Sequence, residues 1–147
     1  MPAPTSRALD VIAYHHHPVK APLLRETVLP LAAACARQGL AAHVERHWLH
    51  GPHLRLRLQG PADRVEAAAE SAASAIRDWL RLRPSRSDRT GAELLAAAAE
   101  AGRAELVPPP YGPIAPDNTV RVEPADRSSV RALLGDDGGR PARRPAA

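Results

Sequence analysis

HLRLRLQ, residues 53–59, alternates without a break: Leu54, Leu56 and Leu58 fall on one side of an extended chain, and His53, Arg55, Arg57 and Gln59 on the other. A period of two over seven residues reads as a strand with one face in a core and the other forming a polar wall. Immediately upstream, AAHVERHWL (residues 41–49) is a second strand, separated from the first only by His50, Gly51 and Pro52, so the two form a hairpin with a glycine-containing turn. By the same rule His43, Glu45 and His47 share a face, and pairing in the hairpin would bring them beside Arg55 and Arg57.

Further upstream, Leu24, Val28, Leu31 and Cys35 mark a helix from Pro22 to about Gln38, ended by Gly39. Pro30 lies inside it and is expected to bend or divide it. Residues Ala8 to His17 (ALDVIAYHHH) read as the first strand, closed by Pro18 and Pro22. Downstream, Gly60 and Pro61 punctuate the exit from the Leu-Arg strand, and Val65, Ala69, Ala72, Ile76 and Leu80 give a second amphipathic helix to about Arg83. Past a polar break at residues 84–89, Thr90 and Glu93 have capping-box spacing before a third helix that ends near Ala101 or Arg103. The proline-rich residues 106–124 cannot be helical, but Thr119 to Glu123 alternates as a last strand would. The order β-α-β-β-α plus that strand predicts an α+β, ferredoxin-like unit: an antiparallel sheet with an extra helix and a Pro-rich insertion. Residues 1–134 are read as one domain, and 135–147 (GDDGGRPARRPAA) as a disordered tail with almost nothing to bury.

Composition narrows the function classes. The 147 residues are 44% apolar and 24% charged with no phenylalanine, so the core is built from Leu, Val, Ala and the two tryptophans, Trp48 and Trp79. Every basic residue except Lys20 is an arginine, which favours planar, bidentate recognition of anions. A net charge of +4 is mild and the chain has few aromatics for stacking, so nucleic acid is not an expected partner. No apolar run is long enough to span a membrane and MPAPTSR lacks a signal-peptide core, so a cytoplasmic location is expected, with no membrane partner. Cys35 alone permits neither an internal disulfide nor a multi-cysteine zinc site, and its apolar helical setting reads as a packed thiol.

The chemistry points to the polar wall. Arg55 and Arg57 project the same way, about 6 to 7 Å apart, and can grip one carboxylate or two anionic groups. The competing reading is a sheet face whose arginines pair with Glu45 or other acids. All seven histidines lie between His15 and His53, but adjacent His15, His16 and His17 cannot face one way on a strand. Partner cysteines and an H-E-x-x-H motif are also missing, so no metal is expected, and nothing in the sequence calls for a cofactor. Glu45 could act as a base or as a salt-bridge partner, and His53 is the nearest candidate proton carrier.

Two stretches together resemble a known family. AYHHHPVKAPLLRETVLPL followed by HVERHWLHGPHLRLRLQGP is similar to the C-terminal domain of class I lantibiotic dehydratases, also found alone as the thiopeptide-type bacteriocin biosynthesis domain. The matching residues are Leu23, Leu24, Val28, Pro30 and Leu31 in the helix and Gly51 to Arg57 in the turn and strand. Pro116, Asp117, Asn118 and Val120 match a later proline-rich segment, and the resemblance runs from Leu9 to Asp126. It implies a role in making a ribosomally synthesised, modified peptide. A separate domain glutamylates Ser or Thr of the precursor, and this one removes glutamate by β-elimination to leave a dehydroamino acid. The family's arginine pair falls on Arg55 and Arg57; beside it, the residue pattern of this chain offers His53 as the candidate proton carrier and Glu45, His47 and Tyr14 as further candidate substrate-binding residues. Related members instead join two dehydroalanines into a pyridine ring.

Members of the resembled family are about twice as long, and their C-terminal half supplies a histidine used in elimination, whereas here no histidine follows His53. The resemblance therefore implies a short, C-terminally truncated member. Either His43, His47 or His53 replaces the lost acid/base, or a second chain completes the site. The expected partners are the precursor peptide and either a dehydratase subunit or a second copy. A non-catalytic peptide-binding module, and an inactive remnant, are the competing readings.

Overall fold

The computed structural model describes residues 5–125, so the tail expected at 135–147 lies outside the described residues. Four strands, β1 (Ser6–Tyr14), β2 (Ala41–His47), β3 (His53–Pro61) and β4 (Val120–Pro124), form one sheet in the order β2-β3-β1-β4. Every neighbouring pair is antiparallel. Helix α1 (residues 21–37) joins β1 to β2, α2 (Ala62–Leu82) follows β3, and α3 (Gly91–Ala104) stands between α2 and β4. This is the ferredoxin-like α+β topology that the residue pattern predicts, with α3 and a Pro-rich segment as the insertion.

The alternation of β3 is realised directly. Leu54, Leu56 and Leu58 lie opposite Ala13, Val11 and Leu9 of β1 and are buried with them under both long helices. The α2 stripe Val65, Ala69, Ala72, Ile76 and Leu80 is buried throughout, because its spacing returns to the same side every turn. Gly60 lies where α2 leaves the sheet, and a Cβ there would sit 2.6 Å from Leu40 Cδ2, so a larger residue would have to displace the buried Leu40 side chain.

Helix α1 departs from a plain 3.6-residue repeat for a physical reason. Pro30 has no N–H to give to the carbonyl four residues back. The helix accommodates it through a π turn at Leu24–Val28, across which the Leu29 N–H reaches the Leu24 carbonyl. The extra residue puts Leu23 and Val28, five apart, together in the core, while Leu24 and Leu31 of the expected stripe are only partly buried. The helix is neither broken nor divided.

Strand β1 stops at Tyr14, three residues short of the expected His17: the His15 N–H still reaches the Pro52 carbonyl at 3.0 Å, but the two donors after it find side-chain partners. The His16 N–H donates to Asp117 Oδ1 at 2.9 Å and the His17 N–H to Ser85 Oγ at 2.9 Å. Likewise β2 ends at His47 rather than Leu49, and His50 and Gly51 take positive φ (64° and 106°) to turn the hairpin. Helix α3 begins with the capping box read from Thr90 and Glu93, both bonds at 3.1 Å. It docks through Gly102, whose missing Cβ leaves room for the Tyr111 ring, and through Trp48 Nε1, which donates to Glu105 at 2.9 Å.

Candidate functional site

The register of the sheet assembles the polar wall row by row. His47, His53 and Tyr14 lie side by side, then Glu45, Arg55 and Ile12, then His43, Arg57 and Asp10. All six residues picked from the sequence, Tyr14, Glu45, His47, His53, Arg55 and Arg57, therefore share one face. Directly opposed residues of an antiparallel pair project to the same side, so the register alone is enough to bring them together. Tyr14 and Ile12 pack with Ala115 of the Pro-rich segment, which is pinned to the hairpin turn by Ala115 N–H donating to His50 O at 2.8 Å. One end of the wall is thus roofed rather than open to water.

The arginines do not stand as bare cations. Arg57 makes a two-pronged contact with Asp10, Nε to Oδ1 at 2.8 Å and Nη2 to Oδ2 at 3.0 Å. Arg55 Nη1 donates to Glu45 Oε1 at 2.9 Å, and its Nε lies 3.7 Å from Asp10 Oδ2. Asp10 is 1% exposed and therefore needs these cations. Sequence reasoning missed it. The available signal was a lone acid in the otherwise apolar run ALDVIAY, on the same parity as Ile12 and Tyr14.

His53 is almost fully buried, between the Tyr14 ring (5.1 Å between centroids) and the His47 ring (5.6 Å). Its Nδ1 lies 2.9 Å from the Gly51 carbonyl, which can only accept, so Nδ1 carries the proton and Nε2 presents a lone pair. That Nε2 is buried and has no hydrogen-bond partner among the described residues. Burial first, and then the nearby Arg55 charge, pull the His53 pKa down to about 4 against the opposing Gly51 bond, so the ring is neutral at pH 7. Burial, with Glu123 next, raises the Tyr14 phenol, and the Arg121 guanidinium sits 5.3 Å from that ring. The wall therefore presents guanidinium donors for an anion, with a neutral imidazole acceptor and a phenol buried behind them.

The sequence profile of the lantibiotic biosynthesis dehydratase C-term family matches residues 9–128. The chain belongs to that family. Among solved structures it is similar to the pyridine synthase TbtD from thiomuracin biosynthesis, at 29% identity and a TM-score of 0.70. The match covers 80% of this chain and 39% of that one, so the chain spans about two fifths of that structure's length. No curated protein sequence matches it.

Several residues that carry the resemblance to the lantibiotic dehydratase family form a second polar cluster beside the wall. Asn118, at φ 62°, clamps Ser85 from both sides, with Oδ1 accepting from the Ser85 N–H at 2.7 Å and Nδ2 donating to its carbonyl at 3.0 Å. Lys20 is buried and donates to the carbonyls of His15 (2.6 Å) and His17 (2.7 Å), which fixes the triple-histidine loop against this clamp. Burial and then Arg46 pull the Lys20 pKa down to about 8, with Asp117 opposing. Among the described residues no group of three His, Cys, Asp or Glu is placed to hold a metal, and no helix is long and apolar enough to cross a membrane. Cys35 is buried, and burial raises its thiol pKa, as a packed thiol requires.

Proposed function

We propose that this chain takes part in the maturation of a ribosomally made peptide by assisting loss of glutamate from glutamylated Ser or Thr. The observation that carries the reading is the arginine pair: two guanidiniums on one strand face, braced by a buried carboxylate, in a family of lantibiotic dehydratase domains. Elimination removes the Cα proton and expels the glutamyl carboxylate, leaving dehydroalanine from Ser and dehydrobutyrine from Thr. Negative charge grows on the departing carboxylate, and donors already fixed in place stabilise it without reorganising. Arg55 and Arg57 supply those donors, His47 flanks the bound adduct beside the buried Tyr14, and the buried His53 Nε2 is a neutral but weak base that takes a proton only where binding opens a path to it.

A base of pKa about 4 makes elimination by this chain alone slow, which favours completion of the site by a partner dehydratase subunit or a second copy. The similarity to a pyridine synthase supports a second reading, in which the same face binds a dehydroalanine-containing peptide for ring formation. Mass spectrometry of a glutamylated precursor peptide, incubated with the chain alone and then with its genomic partner proteins, separates the two. Glutamate release that disappears in Arg55→Ala and Arg57→Ala while peptide binding persists supports elimination. Conversion of a dehydrated peptide to a pyridine macrocycle, without glutamate release, supports the second reading. Binding with neither conversion leaves a peptide-binding module.

A further inference from the structure

The two acids that face the arginine pair are built differently, and the difference bears on what binds there. Asp10 has a side chain 2% exposed, touches both arginines and holds Arg57 with both oxygens. It cannot leave without stranding charge in a dry site. Glu45 sits on β2, at the edge of the sheet, with its side chain 37% exposed, and it holds Arg55 through one oxygen only. Its second oxygen lies 3.9 Å from His43 Nε2, on a side chain that is itself 69% exposed. Asp10 is therefore a fixed counter-ion and Glu45 an exchangeable one.

Resting on the carboxylate-binding reading above, we propose that Glu45 holds the place of the substrate's carboxylate on Arg55 and swings into water when the glutamylated peptide binds. Arg55 is only 13% exposed, so an empty site without Glu45 would leave its charge poorly compensated. The buried Arg55 Nε makes no hydrogen bond, so the guanidinium is not saturated by its two acids. A glutamate side chain and a glutamyl adduct offer the same group, so the exchange conserves the net charge of the wall, and the released Glu45 regains hydration. A neutral side chain offers nothing to displace Glu45 and is excluded. After reaction, Glu45 competes with free glutamate for Arg55 and speeds its departure. Glu45 on this view is a specificity and release device, not a base.

Isothermal titration of the full chain with L-glutamate and with a glutamylated serine peptide tests this. Glu45→Gln keeps an acceptor for Arg55 but removes the competing charge, and Glu45→Ala removes both. Each should bind these ligands about fivefold more tightly than wild type, the ratio a part-exposed ion pair contributes. Arg55→Ala should lose binding, and the same peptide carrying a glutaminyl in place of the glutamyl group, which lacks the side-chain carboxylate, should not bind any of the four proteins. Equal or weaker binding by both Glu45 variants, with binding still lost in Arg55→Ala, overturns the place-holder role and leaves the carboxylate site standing. No binding of either ligand by wild type or by the Glu45 variants overturns the carboxylate reading itself, and this inference with it.

Discussion

Replacing Asp10 by Asn keeps the shape of the side chain and removes the charge on which both arginines lean. Arg57 would lose its charge-assisted bonds at 2.8 and 3.0 Å, and Arg55 the carboxylate 3.7 Å from its Nε. Breaking a buried ion pair from one side costs about 3–5 kcal/mol, because the stranded partner keeps its desolvation penalty. Arg57 is 25% exposed and can turn partly into water, which puts the expected loss at the lower end of that range, about 3 kcal/mol. For a domain of this size that is a fall in Tm of about 10 °C. Calorimetry or urea unfolding of Asp10→Asn, Arg57→Met and the double variant reads it out. The double variant should be less destabilised than the sum of the singles, since the Arg57 charge is then removed with its partner and Arg55 keeps Glu45 as counter-ion. A loss below about 1 kcal/mol in Asp10→Asn, or strict additivity in the cycle, would refute the view that a buried carboxylate organises the arginine pair.

Three further outcomes follow from the same geometry. With His53 held near 4 in the folded chain and near 6.5 when unfolded, the unfolded state takes up the proton first, so stability should fall as pH drops from about 6.5 to about 4, by at most about 3 kcal/mol; NMR titration showing His53 protonating near 6.5 in the native state would contradict this. Lys20 behaves with the same sign at higher pH: the unfolded chain holds the proton up to 10.5 and the folded one only to about 8, so stability should rise between those values, and Lys20→Met should abolish the rise in a pH series of melts. Thr90→Ala should remove about 1 kcal/mol from the start of α3, seen as faster amide exchange over residues 91–95, and unchanged exchange there would show that the capping box contributes little.

The sheet and its polar face were readable because they depend on local alternation. Leu54, Leu56 and Leu58 announce β3, and the short glycine-containing turn of residues 48–52 fixes the register that sets Glu45 beside Arg55 and His47 beside His53. What could not be read depends on contacts made across the chain. Asp10 has no local pattern that says which cation it meets 47 residues later. The end of β1 at Tyr14 is decided by Ser85 and Asp117, whose side chains take the His17 and His16 donors. The burial of Leu23 follows from the π turn that Pro30 requires, and a 3.6-residue count does not anticipate it. The roofing of Ile12 and Tyr14 by Ala115 likewise joins residues far apart in sequence through a segment whose prolines signal only that it is irregular.

The position of Lys20 also decides how a partner can be caught. It is the chain's one lysine, and its amine is held between two carbonyls, out of reach of reagents in solution. Acetyl or ubiquitin transfer, succinimide-ester labelling and amine-to-amine cross-linking would find no side-chain target on the folded protein. A complex with a precursor peptide or a dehydratase subunit would therefore look absent in a lysine-directed cross-linking experiment even if it formed. Carbodiimide coupling through Glu66, Glu70 or Glu100, or a cysteine placed on the outer side of α2, gives such a complex a handle.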